Sequence, residues 1–251
     1  MTVFSAESDI RVSLSPGHSF YGLVQIAGIH DPAEADLLLS AGVDALGFPL
    51  RLPVHAEDCT EDAARDMAAA IRSRATPVCI CYLDRADDIR AFCAGLEMRH
   101  VQLHGPVPEP ELARLRRIAP DLFIIKSLVL PVTATISPLP ALVAQVQRDA
   151  PHVDAFITDT HDPATGANGA TGKPHDWTFS AHLVGISPRP VILAGGLTAD
   201  TVRKAIFTVR PAGVDVHTGV EGSDGRKDRN RVLLFIRQAK QAFAEISALR
   251  S

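Results

Sequence analysis

The sequence has no apolar run of the length that a membrane span requires. No stretch of its 251 residues approaches the roughly 18 consecutive apolar side chains of a membrane helix. The first twenty residues also lack the basic start and apolar segment of a secretory signal. We therefore expect a cytoplasmic protein that makes no contact with membranes.

Paired cysteines are lacking as well. Cys59, Cys79, Cys81 and Cys93 form no CxxC pair, which argues against a structural zinc site or a disulfide framework. We expect reduced thiols in the core. Cys79 and Cys81 lie two residues apart in a predicted strand, so their side chains share one face. If that face is the interior of the fold, Cys81 approaches the site.

The sequence also lacks a cluster of positive charge. Its formal net charge is −4, and acidic and basic residues alternate along the chain without forming a basic stripe. A nucleic-acid-binding protein normally carries such a stripe. We therefore expect a small-molecule substrate and no nucleic-acid partner, in a protein that is a monomer or a homodimer.

The chain does contain a regular alternation of short apolar runs and helical patterns. This alternation, in a chain close to the roughly 250 residues of one (β/α)8 barrel, predicts an α/β protein with a single TIM barrel over residues 21–251. Residues 1–20 then form a short N-terminal extension. The predicted strands are LVQIAGI from Leu23, VDALGF from Val43, PVCICYL from Pro77, RHVQLH from Arg99, LFIIKSL from Leu122, VDAFITD from Val153, PVILAG from Pro190 and GVDVHT from Gly213.

A doubly wound open sheet has the same alternation, but the glycines favour the barrel. The first strand-to-helix turn lacks the spaced glycines of a dinucleotide-binding fingerprint, whereas glycine-rich turns follow the last three strands. Helix starts are predicted at Asp31–Pro32 and Thr60–Glu61. In the last helix an apolar stripe predicts packing on the barrel wall. The stripe comprises Val232, Phe235, Ile236, Ala239, Phe243 and Ile246.

Two glycine turns predict where an anion binds. Gly195–Gly196 closes the seventh strand, and Thr218–Gly219 follows the eighth. Backbone amides can approach an anion closely where no Cβ intervenes, and barrels commonly hold phosphate at these two turns. We expect a phosphorylated small molecule there. A purely structural role, tight termination of the strands, is the alternative.

A carboxylate ends the sixth strand. Asp159 precedes a long polar loop that contains Gly172 and Lys173, and loops at this face of a barrel often close over substrates. Burial would raise the pKa of Asp159 and make it a general acid or base. Capping of the next turn is its alternative role.

Seven phrases together resemble one family. QIAGI, ALGF, VQLHG, ITDT, GATGKPHDW, LAGGLT and VDVHTGVEGSDGRKD are similar, in this order, to motifs of the phosphoribosylanthranilate isomerases of tryptophan biosynthesis. The resemblance implies an Amadori rearrangement, from aldose to ketose, without a cofactor or a metal. It places Asp159 as the general acid for the ribose ring oxygen. We further expect substrate contacts from Gly172, Lys173, Asp215 and His217. At His217 the family usually has serine, and a hydrogen bond to the phosphate or the backbone is the alternative role of this histidine.

The sequence departs from the family at the general base. Where the family has a cysteine, in KICGI, this chain has Ala27, and the lysine of that motif is Gln25. Alanine cannot take a proton, and general-base catalysis is worth on the order of a hundredfold to ten-thousandfold. We therefore expect weak activity on phosphoribosylanthranilate itself, and a base supplied from elsewhere.

The loop after the second strand is the nearest new source of titratable groups. It carries His55, Glu57 and Asp58, and we expect His55 or Glu57 to be the base, with His217 as a further candidate. Arg51 is a candidate partner for a substrate carboxylate, although it does not sit in the family's pattern. A lyase or epimerase on the same barrel, or a non-catalytic phosphometabolite-binding protein, are the alternative functions.

Overall fold

The computed structural model describes residues 20–53, 56–131, 137–162, 167–168 and 176–249. Nine strands, numbered in chain order, lie in one sheet. They are β1 Leu23–Ala27, β2 Ala45–Pro49, β3 Thr76–Cys81, β4 His100–Leu103, β5 Phe123–Pro131, β6 Ala155–Asp162, β7 Ala167–Asn168, β8 Val191–Leu193 and β9 Gly213–Val216.

The sheet closes on itself as a parallel barrel. β1 to β6 pair in sequence, β6 pairs with β8, and β8 with β9. The first and last strands then pair with each other, with Gln25 opposite Asp215. The predicted (β/α)8 barrel is confirmed, with all eight predicted strands in it. The short β7, which runs antiparallel to the end of β6, is an addition that the sequence did not indicate.

In the described part of the chain, eight α-helices surround the barrel. Asp31 and Thr60 cap α1 and α2 by accepting hydrogen bonds from the amides of Glu34 and Ala63, as the sequence predicts. The predicted stripe on the last helix is buried. The helices are α1 Pro32–Ala41, α2 Glu61–Ile71, α3 Ala86–Gly95, α4 Glu109–Ile118, α5 Leu139–Asp149, α6 Trp177–Ile186, α7 Val202–Val209 and α8 Arg229–Ala248.

Strand alternation separates two apolar layers. In β3, Val78 and Ile80 point into the barrel, whereas Cys79 and Cys81 pack with Cys93 of α3 in the layer between strands and helices. The two thiols of β3 do share a face, as predicted, but it is not the interior. Cys81 therefore does not approach the interior of the barrel.

The amino ends of the strands are closed by an aromatic pair. Phe20, the last residue of the predicted extension, stacks on Phe123 at the start of β5, with ring centroids 5.9 Å apart. Residues 1–19 lie outside the described residues. Within the described part of the chain, no helix combines the length and the apolar character needed to span a membrane.

Candidate active site

A cavity of about 260 Å³ opens at the carboxyl ends of the strands. Strand ends on opposite sides of the barrel contribute to it, together with the loops that follow them. Parallel barrels place their reactive side chains at this face because every strand ends there. The lining residues are Ala27, Pro49, Leu52, Ala56, Asp58, Ile80, Tyr82, Gln102, His104, Asp159, Ala194, Gly195, Gly196, Leu197, Asp215, Val216, His217, Thr218 and Gly219.

The two predicted glycine turns lie side by side in this cavity. Gly195 and Gly196 have φ angles of 96° and 65°, a left-handed conformation that L side chains rarely adopt. Gly219 lies so near the turn that a Cβ on it would be 1.8 Å from the carbonyl oxygen of Leu197. The structure therefore brings all four predicted phosphate-binding residues, these three and Thr218, to one wall.

Two buried carboxyls lie in the cavity. Burial raises the pKa of Asp159 to about 7, against the opposing effect of the hydrogen bond that its carboxylate accepts from the Thr160 amide. Burial, with the charge of Asp159 second, likewise raises the pKa of Asp215 to about 7. Thr158 is the last residue of β6 that pairs with β8. The next residue, Asp159, therefore lies at the rim of the barrel. Each carboxyl can hold a proton near neutral pH.

A line of polar side chains supports Asp159. His104 lies with Nε2 3.5 Å from Asp159 Oδ2, and its Nδ1 is 3.2 Å from the Ser127 hydroxyl. Gln102 is 3.5 Å from the same Nδ1 and accepts a hydrogen bond of 3.1 Å from Gln25. The line crosses β1, β4, β5 and β6 and includes His104, the residue directly after β4, so strands and one strand end hold these groups.

Asp215 has an unsatisfied oxygen. Within the described residues, its Oδ1 is buried and makes no hydrogen bond of good geometry, although the Gln25 side chain lies close enough to lower the pKa of this carboxyl. A buried acceptor without a donor costs free energy, of order 1–3 kcal/mol. In a cavity lining, such an atom marks the place for a donor group of a ligand.

His217 lies beside the position where the family resemblance places the base. The next residue after Ala27 is Gly28, and a Cβ on Gly28 would be 2.0 Å from His217 Nε2. That nitrogen is 3.3 Å from Glu221 Oε1 and 3.9 Å from Asp58 Oδ1. The imidazole thus lies against the backbone of the first strand's end, between two carboxylates.

The loop after β2 is arranged differently from the expectation. Arg51 extends over the outside of the barrel, where its guanidinium pairs with Glu61 at 2.8 Å and lies 3.9 Å from the ring centroid of Phe92. Glu57 is exposed and accepts a hydrogen bond from the Arg51 amide. Of the loop's titratable groups in the described residues, Asp58 is the one that lines the cavity. His55, Gly172 and Lys173 lie outside the described residues.

Comparisons of the sequence with known proteins identify one family. The family model for N-(5′-phosphoribosyl)anthranilate (PRA) isomerase matches residues 26–238. The chain is 32% identical to N-(5′-phosphoribosyl)anthranilate isomerase 2 of Methanosarcina mazei, covering 90% of this chain and 97% of the relative. It is 37% identical to the N-(5′-phosphoribosyl)anthranilate isomerase of Chromohalobacter salexigens, over 88% of this chain and 95% of the other. The solved phosphoribosyl anthranilate isomerase of Thermotoga maritima superposes with a TM-score of 0.72 at 25% identity, covering 87% of this chain and 98% of that one.

Proposed function

The chain belongs to the N-(5′-phosphoribosyl)anthranilate isomerase family and is an isomerase, and from this premise we propose that it rearranges an N-(5-phosphoribosyl) aryl amine to the 1-arylamino-1-deoxyketose. Family membership favours this function over a lyase, an epimerase or a non-catalytic binding protein. The observation that carries the proposal is a buried, protonatable Asp159 in the same cavity as the paired glycine turns.

The substrate's phosphate binds at the wall formed by Gly195, Gly196, Thr218 and Gly219. The close approach of Gly219 to Leu197 brings the turns after β8 and β9 together, so the backbone amides of both can face one anion. This location leaves the ribose to extend across the cavity toward Asp159 and Ala27, which line it as well.

Asp159 is the general acid. With a pKa of about 7 it carries a proton in much of the population at neutral pH, and it donates that proton to the ribose ring oxygen as the ring opens. The amine nitrogen supplies the electron pair that forms the C1–N double bond. Asp215, whose Oδ1 makes no hydrogen bond of good geometry within the described residues, accepts the hydrogen bond of the substrate's amine N–H.

The aryl group lies against the apolar part of the cavity. Pro49, Leu52, Ile80 and Tyr82 supply this surface, and none of the lining residues within the described ranges is a lysine or arginine. Arg51, proposed from the sequence as the carboxylate partner, pairs with Glu61 instead. A ring without a carboxylate therefore fits this surface as well as anthranilate does. Gly172 and Lys173 remain candidate substrate contacts from the loop after β6.

The placement of the loop after β2 changes which residues are candidates for the general base. Glu57 is exposed and bound to the Arg51 amide, which does not support it as the base. His55 stays a candidate from the sequence. Asp58 and His217 line the cavity together with Ala27, and His217 Nε2 lies 3.9 Å from Asp58 Oδ1.

A direct assay tests the function. The purified protein, at micromolar concentration, is incubated separately with N-(5-phosphoribosyl)anthranilate and with the corresponding aniline compound, and NMR follows the appearance of the C1 methylene of the ketose. We expect conversion of at least one compound, with rates for the two within about tenfold. Absence of conversion of both would contradict the proposal. If the anthranilate compound is preferred more than a hundredfold, the proposed isomerase function stands. Such a preference would show that a cationic side chain outside the described residues binds the carboxylate.

A further inference from the structure

The cavity has a methyl group where the proposed reaction needs a proton acceptor. Ala27 ends β1 and lines the cavity, with its side chain in the apolar interior. The rearrangement requires removal of the hydrogen on C2 of the open-chain sugar after Asp159 has acted. Another side chain must therefore reach the region in front of Ala27.

His217 lines the same cavity as Ala27 and lies against the next residue of the chain. Its Nε2 lies where a Cβ on Gly28 would be, within 2.0 Å, so the ring is in contact with the residue that follows Ala27. β1 and β9 are neighbours in the barrel, with Ile26 opposite Val216, which places His217 and Ala27 at the same level of the rim. The glycine at position 28 is what leaves room for the ring.

Two carboxylates flank this imidazole. Glu221 Oε1 and Asp58 Oδ1 lie 3.3 Å and 3.9 Å from Nε2, and their side chains are 16% exposed. Lys227 holds Glu221 in place at 2.6 Å and also donates to the backbone carbonyl of His217. His30 Nε2 lies 3.6 Å from the same oxygen of Asp58, Oδ1. Two carboxylates this close to Nε2 can hold the ring in one orientation.

We infer that His217 is the general base that replaces the missing side chain at position 27, with Asp58 and Glu221 as its positioning residues. This inference rests on the proposed function. The C2–H bond breaks and an N–H bond forms on the imidazole. The electron pair of the C2–H bond forms the C1–C2 double bond of an enolamine, and the electrons of the C1–N double bond return to nitrogen. Transfer of the enol proton and protonation at C1 then give the ketose.

Four proteins test the inference: wild type, H217S, A27C and A27C/H217S. Each is assayed with both compounds of the preceding section in deuterated solvent, and the rate of isomerisation and the loss of hydrogen from C2 are measured. H152S is the control, because His152 pairs with Glu109 near the start of β6, away from the cavity. Binding of inorganic phosphate to each variant shows that its cavity is intact.

We expect H217S to lower kcat by at least a hundredfold and to retain phosphate binding. The control H152S should keep its activity. The double variant A27C/H217S should recover a large part of the lost kcat. A thiol at position 27 can take the same proton, whereas it cannot replace a lost phosphate contact. A higher KM with unchanged kcat in H217S would assign His217 to binding and overturn the inference. So would full activity of H217S, or loss of C2 hydrogen exchange in D58N while H217S retains that exchange.

The same set separates this inference from the proposed function. If wild type converts a compound and H217S converts it equally well, the inference fails while the proposed function stands. If A27C converts a compound and wild type does not, both the inference and the proposed function fail. If neither A27C nor wild type converts either compound, the proposed function fails and the inference with it.

Discussion

At the scale of single residues, Asp159 combines a functional requirement with a cost in stability. The unfolded chain ionises this carboxyl above its ordinary pKa of 3.8, whereas burial in the folded protein raises the pKa to about 7. A raised carboxyl pKa means that the folded state loses stability as the pH rises from about 4 to 7. The same burial keeps the proton that ring opening uses.

Replacement of Asp159 by Asn should therefore abolish turnover and stabilise the fold at alkaline pH. We expect the free energy of unfolding of D159N at pH 8 to exceed that of wild type by about 1–3 kcal/mol, and the two to be nearly equal at pH 4. Urea unfolding at the two pH values measures this. D62N, at a carboxylate 82% exposed on α2, is the control and should differ by less than about 0.5 kcal/mol. A D159N protein less stable than wild type at pH 8 would argue against the raised pKa.

Residue roles in the loop after β2 were the hardest to predict from the sequence. Acidic side chains next to the missing base were expected there, and one of them, Asp58, does line the cavity. Arg51 adopts a left-handed conformation, φ 54°, and Glu61 and Phe92 hold its side chain outside the barrel. A sequence does not show on which side of a strand end an irregular loop turns. By contrast, Asp159 belongs to a strand, whose alternation made its direction predictable.

At the scale of elements, the turns after β8 and β9 act as one unit. The two elements touch where Gly219 meets the carbonyl of Leu197, with no space for a side chain between them. Because backbone atoms form this contact, neither turn can adjust without moving the other. The phosphate wall depends on this single approach.

A methyl group at Gly219 should therefore separate the two turns. We expect G219A to lower the free energy of unfolding by about 2 kcal/mol and to weaken phosphate binding by at least tenfold. The matched control is G185A, in α6, where a Cβ meets nothing within 4 Å. That change should stabilise the protein by up to about 1 kcal/mol and leave phosphate binding unchanged. Equal phosphate affinity in G219A and wild type would show that the anion binds elsewhere.

The elements themselves followed from the sequence more completely than the loops did. Strands buried on both faces have continuous apolar runs, so all eight barrel strands were evident, and Asp31 and Thr60 marked helix starts. β7 has two residues, Ala167–Asn168, and no apolar run. Such a short strand forms because it pairs with β6, and local sequence does not reveal that pairing.

At the scale of the whole molecule, an anion that binds between β8 and β9 should stabilise the entire barrel, because both strands are part of its closed wall. Inorganic phosphate at a hundred times its Kd should add about 2.7 kcal/mol, which is roughly 5–10 °C in Tm for a chain of this size. Thermal unfolding in phosphate, against potassium chloride of equal ionic strength, measures the effect. G219A should show a much smaller shift. An equal shift in both salts would contradict specific binding at this wall.

The pairing of β1 with β9 has a consequence for how the protein is made. Ala27 and Gly28 leave the ribosome early, whereas His217 and the turn at Thr218–Gly219 follow only after all eight barrel strands have been synthesised. The two halves of the site meet when the last strand joins the first. A nascent chain that stops at β8 holds Asp159 but has neither His217 nor a complete phosphate wall. Substrate binding thus begins with the closure of the barrel, and in a translation experiment the ligand itself would report the moment at which folding is complete.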